Sequence, residues 1–155
     1  MVFFRSYGID MSWKVLSAEW ENVPVYIAER LGIQVGEKTF CIRRLRMANK
    51  EPIGTVVAYL VDKWVDQVDL SLSETGGSTN YLKGQDVTPC VAERVVEALP
   101  ASHEAARILG MKYHDPVLVI TRLLRDCDGE PMEHYRGVFR GDRYQYNVQN
   151  LLLQK

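Results

Sequence analysis

Cysteine is scarce in this chain, and it does not occur in a metal-binding pattern. The three cysteines are Cys41, Cys90 and Cys127, an odd number with no CxxC spacing and no paired histidines. This argues against a zinc site and against a disulfide framework. We therefore expect reduced thiols, as in a cytosol, with Cys41 and Cys90 buried as small apolar side chains. Neither a metal nor a cofactor is predicted.

Long apolar runs and an excess of one charge are also missing. No segment approaches the roughly 20 apolar residues of a membrane span, and the apolar residues 2–4 are too few for a secretion signal. The 19 Lys and Arg and 20 Asp and Glu leave a net charge of -1, so there is no general attraction to nucleic acid or to a membrane. We expect one cytoplasmic domain over residues 1–155, with residues 1–10 as an N-terminal extension.

Catalytic motifs are absent as well. The chain has no GxSxG, no HExxH and no phosphate-binding glycine loop, and its three histidines lie in unrelated contexts. Glu93 and Glu97 would form a pair of carboxylates only on a helix, where a solvated face is the commoner explanation. The sequence therefore predicts a protein that is not an enzyme, with no catalytic residues.

What the chain does contain is an internal repeat. An AERLGI segment is echoed by ARILGM, and eleven residues after each leucine an isoleucine opens IRRL in one copy and ITRL in the other. Each copy then reaches a Glu-Pro step, with one extra residue in the second turn. The pattern predicts two related halves. The repeated segments are 28–33 with 106–111, 42–45 with 120–123, and 51–52 with 130–131.

In each half the sequence pattern predicts a short helix followed by a β-hairpin. The helix has Pro24 or Pro100 near its first turn and Gly32 or Gly110 just past its end. Two runs rich in β-branched and apolar residues then flank a polar turn. The strand runs are 39–47 and 53–61 in the first half and 117–125 and 132–140 in the second, with turns at 48–51 and 126–129.

The segment that opens each half completes a β-α-β-β unit. Residues 11–15 alternate apolar and polar as a strand does. In the second half Val91, Val95 and Leu99 fit a helical stripe as well as a strand, and the repeat favours a strand. The result is an α+β domain of six mostly antiparallel strands with helices on one face. Residues 62–86 connect the halves and are expected to carry short helical turns.

An arginine pair is the first candidate for a binding site. The two-residue period of a strand puts Arg44 and Arg46 on the same face as Phe40 and Ile42, with Arg43 opposite. Two guanidinium groups on an apolar face repel each other and are costly to desolvate, unless an anion or carboxylates satisfy their donors. An anionic ligand would resolve this conflict; internal carboxylates or a hydrated sheet face are the alternatives.

Two further groups are candidates. Arg122 and Glu133 flank the second turn, and a four-residue loop would set them opposite each other as an ion pair. Glu133 could equally accept hydrogen bonds from a ligand, and the two interpretations are compatible. The segment TGGSTNYL, residues 75–82, brings Ser78 and Tyr81 to a glycine-rich stretch that could grip a polar ligand. An ordinary loop and helix cap is the alternative there.

Several of these motifs, in this order, resemble the UTRA domain of HutC-type GntR transcription regulators. They are LGI, the hairpin IRRLRMANKEPI, the Ser/Tyr segment, a helix ending in LG, and DGEPME followed by FRGDRY. The resemblance covers nearly the whole chain. It implies a chorismate-lyase-like fold and a homodimer. It also implies a small metabolite that changes the operator affinity of an attached winged helix-turn-helix domain.

The resemblance also implies which residues contact the ligand. Two positions depart from the family pattern: Val56 stands where a carboxylate is common, and Phe139 stands where a tyrosine is usual. The spacing from Ser78 to Tyr81 is one residue longer than usual. We therefore expect a small anionic metabolite that is not a sugar phosphate. The implied ligand-binding residues are Arg44, Arg46, Ser78, Tyr81, Glu133 and Phe139.

The role that ranks first is a sensor domain of a transcription regulator. A lyase-like enzyme on the same fold ranks second, and a dimerisation module without a ligand third. No DNA-reading pattern precedes Met11, so we expect the DNA-binding domain to be absent from this chain. A ligand that regulates DNA binding must bind two states with different affinity, and we expect residues 62–86 to report that change.

Overall fold

The computed structural model describes residues 10–72 and 89–148, which form one sheet and two α-helices. Each half has the order strand, helix, strand, strand, so the predicted pair of β-α-β-β units and the α+β class are confirmed. Within the described residues no helix has the length and apolar character needed to cross a bilayer. The elements are β1 Met11–Asn22, α1 Val25–Leu31, β2 Lys38–Ala48, β3 Glu51–Leu60, β4 Val91–Pro100, α2 His103–Leu109, β5 Pro116–Arg125 and β6 Pro131–Arg140.

The two halves join into a continuous sheet. The strand order is β1-β2-β3-β6-β5-β4, and all five neighbouring pairs are antiparallel. The halves meet where β3 pairs with β6, so β1 and β4 are the two edges. Each helix reaches across this seam, because α1 packs against β6 and α2 packs against β3. Neither half therefore builds its core alone.

The helix ends follow the prediction more closely than the helix starts. Gly32 and Gly110 end α1 and α2 with φ of 66° and 64°, a left-handed conformation that glycine adopts without a steric cost. Pro24 directly precedes α1, as expected. The expectation for Pro100 is wrong, because it is the last residue of β4. Ser102 caps α2 instead, its hydroxyl accepting a backbone N–H at 3.1 Å.

The ambiguous segment before α2 is a strand, as the repeat predicted. β4 pairs with β5 along its whole length, from Val91 opposite Arg125 to Pro100 opposite Pro116. All ten of its residues are exposed. Because both faces of this edge strand are exposed, burial imposes no two-residue alternation on its sequence, which explains why the pattern was ambiguous.

The two faces of the sheet differ in what covers them. The helix face lies under α1 and α2, where two apolar clusters form. The opposite face carries Arg44, Arg46 and Arg122 and is called the arginine face below. In the described part of the chain it is covered by Tyr144 and Tyr146, which follow β6, and by Trp64, Val65 and Val68, which follow β3. The segment after β3 contains two 3-10 turns, Asp62–Gln67 and Leu70–Leu72.

These turns confirm, for residues 62–72, the short helical turns expected in the connection between the halves. Residues 73–86 of that connection lie outside the described residues.

The cysteine expectation is partly wrong. Cys41 is buried, as predicted. Cys90 and Cys127 are joined in a disulfide, with their Cα atoms 5.0 Å apart, and both residues are exposed. The pairing of β4 with β5 brings Cys90 beside the turn that holds Cys127, a proximity that a sequence separation of 37 residues does not reveal.

Candidate functional site

Two arginines of β2 share one aromatic ring on the arginine face. The guanidinium carbons of Arg44 and Arg46 lie 4.2 Å and 4.7 Å from the centre of the Trp13 ring. Trp13 is on β1, directly opposite Arg46 in the sheet. Arg44 is fully buried. An indole face attracts guanidinium groups, and more strongly where water is excluded, so Trp13 helps to hold two like charges together.

Arg46 is the more exposed member of this pair. Its side chain is half-buried, and no carboxylate contacts it among the residues that the structure describes. Burial lowers the pKa of Arg46, and the neighbouring charge of Arg44 lowers it further. A bound anion would offset both effects, because it would interact only with the charged form of the side chain.

Arg43 of the same strand lies on the helix face and has a carboxylate partner. It lies on the face opposite Arg44 and Arg46, as predicted, and forms a bidentate pair with Glu21 of β1. Its hydrogen bond to Glu21 raises the pKa of Arg43 and lowers that of Glu21. The helix face therefore supplies its own carboxylate to its arginine.

A buried ion pair lies further along the arginine face. Arg122 donates to Glu133 at 2.6 Å, and both side chains are almost fully buried. The Arg122 guanidinium also lies over the Tyr135 ring, 4.3 Å from its centre. The ion pair is confirmed, but its expected geometry is wrong. Arg122 is directly opposite Tyr135, and Glu133 is opposite Leu124, so the pair is diagonal.

Phe139 forms an aromatic platform beside the arginines. It is almost fully buried and stacks on Tyr144, with ring centres 4.0 Å apart. Its ring occupies the space above Gly54 and Gly137, where a Cβ atom would overlap it. The two glycines therefore make room for the ring. Burial raises the pKa of Tyr144, which lies near Arg46.

The remaining positions implied by the resemblance divide into two groups. Val56 is fully buried and pairs with Arg44 across β2 and β3, so this position brings no negative charge to the arginine. Ser78 and Tyr81 lie outside the described residues, and their role as ligand contacts stays a prediction. The structure thus brings Arg44, Arg46, Glu133 and Phe139 onto one face.

Two residues of this face escaped the sequence analysis as site residues. Trp13 was recognised only as part of a strand, and Tyr135 was not singled out at all. Burial raises the pKa of Tyr135 well above its usual range. Both residues alternate onto the arginine face with a period of two, and that signal would identify them once the strand register is known.

The helix face carries a row of polar groups, formed by the side chains of Cys41, Tyr59 and His134 at paired positions of adjacent strands. Burial raises the pKa of Cys41 and of Tyr59 to about 12 in each case. Burial also lowers the pKa of His134, whose ring nitrogens have no hydrogen-bond partner among the described residues. At neutral pH this row holds a neutral thiol, phenol and imidazole. Among residues 10–72 and 89–148 no three potential metal ligands cluster together.

Comparison with known protein families identifies the family of this domain. The model of the UTRA domain matches residues 6–145. The chain belongs to the UTRA domain family. The match includes Arg44 and Arg46 of β2, the Glu133 strand and Phe139, and thus the whole described arginine face up to Tyr144.

Curated relatives of this UTRA domain are bacterial transcription regulators. The HTH-type transcriptional regulator Rv0792c of Mycobacterium tuberculosis is 31% identical over 147 residues, which cover 92% of this chain and 54% of that protein. The HTH-type transcriptional repressor NagR of Bacillus subtilis is 28% identical over 142 residues, covering 92% of this chain and 58% of that protein. The chain thus spans little more than half the length of these relatives.

Solved structures share the fold. A putative transcriptional regulator from Streptomyces coelicolor matches with a TM-score of 0.84 and 25% identity, covering 95% of this chain and 100% of that one. The ligand-binding domain of a putative GntR-family regulator from Bordetella bronchiseptica matches with a TM-score of 0.80 and 24% identity, covering 92% and 90%. The six-stranded architecture is therefore that of UTRA domains in GntR-family regulators.

Proposed function

We propose that this UTRA domain is the effector-binding part of a GntR-type transcription regulator of the HutC subfamily. In this proposal a small ligand changes the affinity of an attached winged helix-turn-helix domain for DNA. The curated relatives support it, because both are named HTH-type regulators. Since the chain spans little more than half of their length, DNA contact is assigned to a separate N-terminal domain. The proposed location is the cytoplasm.

The proposed ligand is a small anionic metabolite, and the environment of Arg46 is the observation that carries this proposal. Arg46 is half-buried, has no carboxylate contact among the described residues, and lies beside the like charge of Arg44. A planar guanidinium group offers parallel donors that match a carboxylate or phosphate. The site therefore favours an anion that both guanidinium groups can contact.

The proposed contacts extend from this pair across the arginine face. Arg44 and Arg46 bind the anionic group, Phe139 contacts the body of the ligand, and Glu133 accepts a hydrogen bond from it. Ser78 and Tyr81 complete the set from the glycine-rich segment. Val56 and Phe139 offer no carboxylate and no hydroxyl at two positions of the family pattern, which favours a ligand with fewer polar groups than a sugar phosphate.

A thermal-shift screen of amino acids, carboxylic acids and sugar phosphates tests this proposal. A ligand at 100 times its dissociation constant stabilises the folded state by about 2.7 kcal/mol. We expect a carboxylate or other small anion to raise the melting temperature, and Arg46→Gln to abolish most of that shift.

Arg43→Gln is the matched control for Arg46→Gln. It removes a guanidinium group from the same strand, but from the opposite face, where Arg43 contacts Glu21. We expect this variant to keep the ligand-induced shift. A shift that is lost equally in both variants, or in neither, would move the anion site away from the arginine face.

We further infer that the domain binds its ligand without converting it. Among the described residues Glu133 is the carboxylate that contacts an arginine of this face, and it is engaged by Arg122 at 2.6 Å. A general acid or base must lie within hydrogen-bond reach of the proton that it transfers, and the Glu133 oxygen nearest to Arg122 is already occupied by that contact. Unchanged ligand, recovered after long incubation and analysed by mass spectrometry, is the expected result.

A homodimer is the proposed assembly. The β4 edge supports it, because it pairs with β5 alone in the described part of the chain and exposes four large apolar side chains. Unpaired strand edges of this kind bind other chains. We expect light scattering to show a dimer that Val95→Lys weakens. Val35→Lys, at a residue that is somewhat more exposed and lies outside the sheet, serves as the control.

A further inference from the structure

The disulfide between Cys90 and Cys127 lies on the solvent-exposed surface of the domain. Cys90 directly precedes β4, and Cys127 lies in the turn between β5 and β6. Both residues are exposed, whereas Cys41 is buried under α1. An exposed disulfide can be attacked by a dissolved thiolate, and an exposed thiol can attack a dissolved disulfide. Solvent access thus separates this pair from the third cysteine.

The crosslink adds a covalent bond to an edge strand that is held mainly by its backbone ladder with β5. All ten residues of β4 are exposed, so the strand buries no side chain in the core. Its ladder with β5 continues one step to the N–H of Cys90, which donates to the Arg125 carbonyl at 2.9 Å. Glu93 adds ion pairs with Arg125 at 3.2 Å and Arg30 at 3.7 Å, and exposed pairs of this kind contribute little.

The same turn also holds the beginning of the connection between the halves. Lys63, just after β3, pairs with Asp126 at 3.2 Å. Asp126 organises the turn, because its second carboxylate oxygen accepts the N–H groups of Asp128 and Glu130, each at 2.9 Å. Lys63, near the start of the connection, is therefore joined to this turn by an ion pair, and Cys90, which lies after the connection, is joined to it by a covalent bond.

We propose that Cys90 and Cys127 form a redox modification site that reacts with low-molecular-weight thiols and disulfides. In oxidation, one cysteine thiolate attacks a dissolved disulfide RSSR, forming a mixed disulfide and releasing RS⁻. The second cysteine then attacks the mixed disulfide, so that the Cys90–Cys127 bond forms and a second RSH leaves. Two cysteine thiols are oxidised, and one RSSR is reduced to two RSH. The reverse reaction frees the beginning of β4.

Reversibility is tested by alkylation in glutathione buffers of defined composition. We expect millimolar reduced glutathione to open the disulfide in the folded protein, so that iodoacetamide labels Cys90 and Cys127. Cys41 should stay unlabelled until the protein is denatured, which shows that the fold is intact. Addition of glutathione disulfide should close the bond again. A bond that opens only after denaturation, or that does not close again, overturns the proposal.

Hydrogen exchange tests what the bond holds. We expect the amides of β4 to exchange at least tenfold faster in the reduced protein, while those at the centre of β2 and β3 keep their rates. Cys127→Ser should reproduce the reduced wild type under both redox conditions. Should this variant fail to fold, reduced wild-type protein carries the same measurement. Equal exchange of β4 in the oxidised and reduced protein would contradict its role in securing the edge strand.

Discussion

The two halves of the domain have an arginine at the same position of the repeat, but only the second half supplies a carboxylate from the matching position of its hairpin. Arg44 and Arg122 occupy corresponding places in the repeated segments IRRL and ITRL. In the second half the following hairpin strand supplies Glu133, and Arg122 pairs with it. At the matching position of the first half stands Gly54. The second half therefore neutralises its arginine internally.

The first half differs further in the same direction. Arg46 adds a second guanidinium group where the second half has Leu124. Val56 lies directly opposite Arg44, where the second half has Tyr135 opposite Arg122. The second half of the repeat thus contains an arginine–glutamate ion pair, and the first half contains two neighbouring arginines at the matching positions. The comparison teaches that two halves of the same architecture can differ in whether the hairpin strand supplies a carboxylate to the arginine.

The largest expected effect comes from removing the internal carboxylate. Glu133→Ala leaves the Arg122 charge buried without this partner, and we expect a loss of about 3–5 kcal/mol in the free energy of unfolding. Urea denaturation measures it. The control is Glu21→Ala, which breaks the more exposed pair with Arg43 and should cost less than half as much. Equal losses would mean that the two halves do not differ in this way.

Introducing a carboxylate into the first half should weaken anion binding. Val56→Glu places an acid directly opposite Arg44, where it competes with a ligand for the guanidinium group. We expect the affinity for the strongest anion of the screen to fall at least tenfold, or about 1.4 kcal/mol, in titration calorimetry. Thr55→Glu adds the same charge to the opposite face of β3 as a control. Unchanged affinity in Val56→Glu would separate Arg44 from the ligand.

The glycines that end the two helices should behave alike. Gly32 and Gly110 have φ of 66° and 64°, and a Cβ atom at either would meet no neighbour. Alanine at each position therefore brings only the cost of a left-handed conformation, about 1 kcal/mol. Thermal unfolding of the two single variants measures it. A difference larger than the cost itself would show that the helix ends are not equivalent.

The smallest expected effect is the pH dependence of stability that His134 of the second half contributes. Burial lowers the pKa of His134 below the usual value of about 6.5, while Thr55 occupies the corresponding position of the first half. The unfolded chain binds the proton more readily, so the contribution to stability is complete above that value and is lost as the pH falls towards the folded pKa.

Melting temperatures at pH 7.5 and 5.5 detect this effect. Part of the decrease at the lower pH should disappear in His134→Leu and persist in His103→Leu, since His103 is exposed at the start of α2. An identical pH dependence in both variants would assign the decrease to other groups.

Sequence reasoning succeeded where the controlling interactions are local or periodic. The glycines after the helices, the polar hairpin turns and the alternation of Arg43, Arg44 and Arg46 depend on a few neighbouring residues, and the structure agrees on each. It failed where register decides. Five residues rather than four separate β5 from β6, and an irregularity between Leu124 and Arg125 shifts the pairing by one more, so Glu133 meets Arg122 diagonally rather than directly.

The ligand contacts proposed for Ser78 and Tyr81 stay predictions, since these residues lie outside the described part of the chain.

The contacts of Trp13 could not be predicted from the pattern of its own strand. Its face was readable from the alternation of β1, but its position over two guanidinium groups depends on how β1 pairs with β2. That pairing joins residues more than thirty positions apart, and no local signal encodes it.

By itself the sequence determined the repeated β-α-β-β units, the ends of the helices and the face on which each arginine lies, because steric preferences and strand periodicity act over a few residues. Tertiary structure alone decided that the halves join at β3 and β6, that β4 lies exposed at an edge, and that Cys90 meets Cys127. These outcomes depend on pairing and packing between distant segments, which is where burial and hydrogen bonding of the sheet are settled.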